Sequence, residues 1–252
     1  MRRTVVLLTD FGPSEYVGIL KGVILSRAPE AAVVDLAHDV TPQGVREGAW
    51  LLAQAYRWFP EGAIFLAVVD PGVGTGRAAV AVRTRAYAFV GPDNGILYPA
   101  AQRDGIVGIV SLPIPPTASA TFHGRDVFAP AAAALARGID LGELGEPRDA
   151  LHPLVHHLRG REGEVVRIDR FGNCLTNLPA VPGAPAYRAW IEKGSVPPVL
   201  PWARTYGEAE PGRLFVTENA YGTLEIALRD GSAQELIGTV PGARLRLEAL
   251  EA

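Results

Sequence analysis

Three apolar runs in the first hundred residues each end in an aspartate: TVVLLTD at Asp10, AIFLAVVD at Asp70 and AYAFVGPD at Asp93. Short runs this dense in apolar residues read as strands buried on both faces. AAVVDLAHDV (31–40) reads as a further short strand with a turn, and AAVAVRT (78–84) as another strand. Among them lie stretches with helical spacing: 14–29, stopped at Pro29; 44–60, ended by Pro60 and Gly62; and 126–138, ending at a glycine. Strands alternating with helices predict an α/β layer around a largely parallel sheet. In such a sheet the carboxyl ends of the strands share one edge, where ligands bind. The three aspartates are therefore expected along one edge. Asp is also favoured as a cap or turn residue, and Asn94-Gly95 after Asp93 favours a turn there. Asp10 and Asp70 instead open onto glycine-containing loops, which favours function.

The pattern changes after about residue 158. GEVVRIDRFGNCLTNL, PGRLFVTENAYGTLEIALRDG and TVPGARLRLEAL are short strands punctuated by Gly and Pro, with no strong helix. They predict a smaller all-β, barrel-like domain. The expected domains are 1–155 and 163–252, joined within LHPLVHHLRGREG (151–163).

Composition narrows the function. Hydrophobic residues form 48% of the 252-residue chain, enough for a sizeable core. The net charge of −3 carries no block of like charge, which argues against a nucleic-acid partner. The one cysteine, Cys174, cannot form an internal disulfide and points to a reducing compartment. The N-terminal VVLL is too short for a secretion signal or a membrane span. The expectation is a cytoplasmic, soluble protein with no membrane partner.

DPGVGTGR (70–77) looks like a phosphate loop but lacks the lysine of a P-loop and the spacing of a dinucleotide fingerprint. A carboxylate at its mouth would also repel phosphate. As a plain loop it would be a glycine-rich hairpin between strands 63–70 and 78–84. As a site, its Asp70 and Arg77 can pair and set each other's geometry, and its glycines would let the backbone approach a ligand closely. TFHGRDVF (121–128) places His123 at the start of a helix, able to handle a proton near neutral pH, or serving structure alone. His152, His156 and His157 have spacing that mimics metal ligands, but Pro153 argues against a metal helix. IDRFGNCLTN (168–177) offers Asp169, Phe171, Asn173 and Asn177 on one short segment. An aromatic beside an amide suits a purine pocket; the alternative is a turn with Phe171 in the core.

These segments, together with NAYGTLEIA (219–227), run in order from about residue 4 to 230 and resemble the S-adenosylmethionine hydroxide adenosyltransferase family, whose relatives are the fluorinase and chlorinase. The resemblance implies that S-adenosylmethionine and water give adenosine and L-methionine, with S-adenosylmethionine as substrate and no separate cofactor or metal. It implies a homotrimer with sites between subunits. It places the water-handling set on Asp70, Arg77 and His123, and the ribose carboxylate on Asp10. Asp169 falls where the methionine ammonium is held, and Phe171 and Asn173 on the adenine segment, with Tyr206 as a stacking partner. Asn219, Ala220 and Tyr221 fall where the methionine carboxylate is held, but Ala220 and Tyr221 replace the fluorinase's Ser–Arg pair.

Departures from the halogenases point to water. They carry tyrosine where this chain has Asp70, and the fluorinase has serine and threonine where it has Gly124 and Val73. A carboxylate beside the nucleophile repels halide. Three other readings stand beside this one: a 5′-halogenase, a non-catalytic S-adenosylmethionine or adenosine sensor, and a metal-dependent hydrolase using Asp10, Asp70, Asp93 and His123.

Overall fold

The computed structural model describes residues 3–251, which fall into two compact units divided between Val155 and His156. The first unit contains β1 (Thr4–Thr9), α1 (Glu15–Arg27), β2 (Ala32–Ala37), α2 (Val45–Ala55), β3 (Ile64–Val68), β4 (Ala79–Thr84), β5 (Ala88–Pro92), α3 (Tyr98–Asp104), β6 (Ile106–Ser111), α4 (Ala129–Ala136) and β7 (Glu146–Pro147). Its sheet runs β2-β1-β3-β5-β4-β6-β7. The four strands from β2 to β5 are parallel; those beyond pair antiparallel. Val5 to Leu8, Ile64 to Val68 and Ala88 to Val90 are all buried, as strands covered on both faces must be. On one face Val5, Leu7, Ile64 and Leu66 pack with Leu20 and Ile24 of α1 and Ala132 and Leu135 of α4. Alternation turns Phe65 and Phe89 the other way, stacked on each other at 5.2 Å, and Tyr56, which follows α2, meets Phe89 edge-on at 6.1 Å.

This topology sets the site. β1 and β3 are neighbours, with Thr9 opposite Val68, so Asp10 and Asp70 leave the same sheet edge on adjacent strands. β5, which leads to Asp93, is the next strand along. The loop 70–77 is not a hairpin, because β5 lies between β3 and β4. A connection that must cross a strand needs this reach, which is why no tight turn forms there.

The second unit contains β8 (Glu162–Ile168), β9 (Cys174–Pro179), β10 (Ala186–Ile191), β11 (Val199–Pro201), β12 (Leu214–Glu218), β13 (Thr223–Leu228), α5 (Ala233–Ile237) and β14 (Arg244–Ala249). The order β11-β10-β14-β8-β9-β13-β12 is antiparallel throughout. A bridge between Trp202, just past β11, and Val216 of β12 nearly closes the barrel. Its core is aliphatic, with Val165, Leu178, Val216, Leu224, Ile226, Leu245 and Leu247 inward and Tyr187 fully buried. Short α5 is fixed by its ends: Ser232 Oγ accepts from the Glu235 N–H at 3.1 Å, and Gly238 takes the left-handed cap at φ 75°.

Candidate active site

At the parallel edge of the first sheet a cavity of about 530 Å³ is lined by Asp10, Gln43, Asp70, Val73 and His123, with an aromatic wall of Phe11, Tyr16 and Phe122. Three sequence-predicted residues thus share one cavity, contributed by three segments. Asp10 follows β1 and accepts from the Gln43 N–H at 2.8 Å. Asp70 follows β3. His123 caps a single π-helical turn, Gly124–Phe128, that runs into α4. Such turns recur at functional sites. Asp126 braces this one, accepting from the Ser119 N–H at 2.8 Å and from Arg125 at 2.7 and 2.9 Å.

Arg77 returns from the loop to join two of these groups. Its Nε donates to Asp70 Oδ1 at 2.9 Å and its Nη2 to Asp70 Oδ2, a two-pronged pair. The same Nη2 lies 3.0 Å from His123 Nδ1. The pair is withdrawn from solvent, with side chains 10% and 6% exposed, and the Arg77 guanidinium lies 5.2 Å from the Phe128 ring centroid. A guanidinium only donates, so His123 Nδ1 must accept. The imidazole is therefore neutral, its proton on Nε2. Burial pushes the His123 pKa below the ordinary histidine value and the Arg77 charge pushes the same way; Asp70 and Asp126 oppose them.

In the second unit a cavity of about 760 Å³ is lined by Asp169, Phe171, Asn173, Tyr206 and the turn Leu228 to Gly231. Phe171 is not a core residue: it is 69% exposed. Asp169 organises the turn beneath it. Its Oδ1 accepts from the Phe171 and Asn173 N–H groups, both at 2.9 Å, and its Oδ2 from Asn173 Nδ2 at 3.0 Å.

Two family domains cover almost the whole chain: residues 5–145 match the S-adenosylmethionine (SAM) hydroxide adenosyltransferase N-terminal domain and residues 163–246 its C-terminal domain. The chain belongs to the SAM hydroxide adenosyltransferase family. One member, the (R)-S-adenosyl-L-methionine hydrolase of Thermus thermophilus, is 43% identical over 260 residues, covering 97% of this chain and 99% of that protein. A fluorinase from an Actinoplanes species is a more distant relative, 28% identical over 211 residues, covering 69% of this chain and 71% of the fluorinase. A solved structure of an uncharacterized conserved protein from Thermotoga maritima superposes with a TM-score of 0.88 at 33% identity, covering 96% of this chain and 99% of that one.

Other residues of this adenosyltransferase-family chain sit outside the two cavities. Asp93 is occupied by structure: it accepts from Arg148 at 2.8 Å and from the His152 N–H at 2.7 Å, fixing the segment 148–152. Asn219 and Tyr221 form the β12–β13 turn, where Asn219 Oδ1 accepts from the Tyr221 N–H at 2.9 Å. His157 pairs with Glu162 at 2.8 Å and His156 lies 3.9 Å from Glu164. Among the described residues no group of three or more His, Cys, Asp or Glu could hold a metal, and no helix is long and apolar enough to cross a membrane. The loop glycines do not all serve ligand approach. Gly74 has φ 75°, and a Cβ there would lie 2.3 Å from the Ala120 carbonyl oxygen, so it lets two loops pack.

Sequence reasoning missed Gln43, whose φ of 65° aims its N–H at Asp10, and the aromatic wall. It also missed Glu225, a lone acid in the apolar run TLEIAL (223–228), and that pattern was the available signal.

Proposed function

We propose that this chain is an S-adenosyl-L-methionine hydrolase, in which water attacks C5′ in line and adenosine and L-methionine leave. The observation that carries the reading is the buried Asp70–Arg77–His123 network, whose Asp70 and His123 line one cavity with Asp10 while Arg77 holds both from behind. The hydrolase relatives support it, and their name specifies the (R) sulfonium epimer. We assign the same epimer here.

The leaving group is a sulfonium and departs as a neutral thioether, so no general acid or metal is required. The demand falls on the nucleophile. With its Nδ1 committed to Arg77, His123 offers Nε2–H and holds the water oxygen as a donor. Asp70, oriented through both oxygens by Arg77, takes the proton. As the C5′–O bond forms, the C5′–S bond breaks and its electron pair stays on sulfur; the water proton ends on Asp70 and passes to solvent. Arg77 stabilises the developing hydroxide. Asp10 accepts from the two ribose hydroxyls. Phe171 and Tyr206 flank the adenine, Asn173 reads its edge, Asp169 draws the methionine ammonium, and Asn219 and Tyr221 lie toward the carboxylate. The chain works as a cytoplasmic homotrimer, each site drawing on two copies.

The test is incubation of the purified chain with each sulfonium epimer, with and without EDTA, followed by product analysis. Adenosine and methionine from the (R) epimer, unaffected by EDTA, are expected. Halo-adenosine formed on adding chloride or fluoride, binding without turnover, or loss of activity on chelation would each refute a named part of the reading.

A further inference from the structure

We propose that Glu225 is a positioning residue for this reaction: from beneath the second cavity it anchors Tyr206, and so sets the aromatic wall against which a purine ring is held. The proposal rests on the reading of that cavity as the adenine subsite.

Side chains alternate in and out along β13. Leu224 and Ile226 point into the barrel core, so Glu225 and Ala227 point outward. They are not in solvent. The segment 203–209 lies over them as a strap, held by a small apolar cluster of Ala203, Ala209, Phe215 and Ala227. Glu225 is left only 2% exposed beneath it. A buried carboxylate is costly unless hydrogen-bonded, and a well-packed apolar side chain would stabilise this position better. What an apolar residue cannot do is accept a hydrogen bond. Glu225 Oε1 accepts one from the Tyr206 hydroxyl.

A second anchor comes from the end of the same strand. Arg229 Nη1 donates to the Gly207 and Ala209 carbonyls at 3.2 and 3.0 Å, fixing the backbone of the strap. Phe215 meets the Tyr206 ring edge-on at 6.1 Å. Tyr206 is thus held at its hydroxyl, backbone and ring edge, while the residue stays 49% exposed on the cavity side. A ring fixed before the base arrives loses little rotamer freedom on stacking, and that preorganisation appears in affinity. Burial also lifts the Glu225 carboxyl and the Tyr206 phenol above their ordinary pKa values, and the raised phenol stays protonated as the donor.

The test compares steady-state kinetics and calorimetric adenosine binding for the full-length chain and three variants. Glu225→Leu should raise KM and the adenosine Kd about tenfold, the scale of one lost hydrogen bond to a charged acceptor, with kcat within about twofold. Glu225→Gln, which keeps an acceptor oxygen, should recover most of that loss. Adding Tyr206→Phe to Glu225→Leu should cost nothing more, because both changes break the same contact. Should Glu225→Leu not fold, Tyr206→Phe alone must raise KM through loss of one oxygen. Unchanged KM in both Glu225→Leu and Tyr206→Phe, or losses that add in the double variant, would overturn the proposal. If the unaltered chain neither binds adenosine nor turns over, the adenine reading itself falls, and the role of Glu225 with it.

Discussion

The two cavities are built on opposite plans. In the α/β unit the groups proposed to react are interlocked and withdrawn from water: Asp70 and Arg77 grip each other twice, and His123 is 3% exposed. In the β unit the groups offered to a ligand, Phe171 and Tyr206, stand 69% and 49% exposed, and only their supports are buried. Chemistry needs charges fixed in a low-dielectric setting before substrate arrives. Recognition of a flat base needs open faces on firm backing. The first site is therefore rigid in its reactive atoms, the second only in its foundations. Substitutions in the first should act on kcat, and those in the second on KM.

The sharpest break of that contrast is Asp70→Asn. It keeps the shape and removes the proton acceptor, so kcat should fall by about 10²- to 10⁴-fold with KM little changed. A fall in affinity instead would move Asp70 into binding. Arg77→Lys, which cannot keep the two-pronged grip, should lose kcat by about 10²-fold in the same assay. In the other cavity, Phe171→Ala should raise KM by about tenfold, the scale of one lost stacking face, and leave kcat nearly intact. A kcat effect as large as that of Asp70→Asn would erase the division of labour.

A pH series sharpens the comparison from the first site alone. The folded pKa of His123 lies below its unfolded value of about 6.5. The unfolded chain thus takes up this proton more readily. The neutral imidazole costs no stability above about pH 6.5, and stability falls as pH drops from there toward the folded pKa. Protonation also sets a second cation against Arg77, so kcat should fall on the acid side with an apparent pKa below that of free histidine. Denaturant midpoints and kcat measured from pH 5 to 8 check both, with His123→Gln flattening the stability term. The smallest effect is structural: Gly74→Ala forces a left-handed backbone and a clash with the Ala120 carbonyl, costing about 1–3 kcal/mol by thermal or chemical melting.

What the chain disclosed in advance follows from which signals are local. The apolar runs before Asp10 and Asp70 marked buried strands, and a parallel edge then brought the two carboxylates into one cavity. His123 and Arg77 joined them only through tertiary geometry. Spacing along the chain says nothing of a guanidinium reaching a ring 46 positions away. Strand order was likewise silent in the sequence. A loop between two strands reads as a hairpin until β5 is found between them. Asp93 shares the motif of the other two aspartates, yet its oxygens are committed to Arg148 and the His152 N–H, partners more than fifty residues distant. Phe171 could not be told from a core residue by type. Glu225 was visible as a charge among apolar neighbours, but its partner Tyr206 sits on a strap whose path only the fold supplies.

The most direct test of the account is turnover of (R)-S-adenosyl-L-methionine in H₂¹⁸O, read by mass spectrometry of the adenosine. Attack of water on C5′ puts one ¹⁸O at the 5′-oxygen and none in methionine. Unlabelled adenosine, or a product other than adenosine, would contradict it.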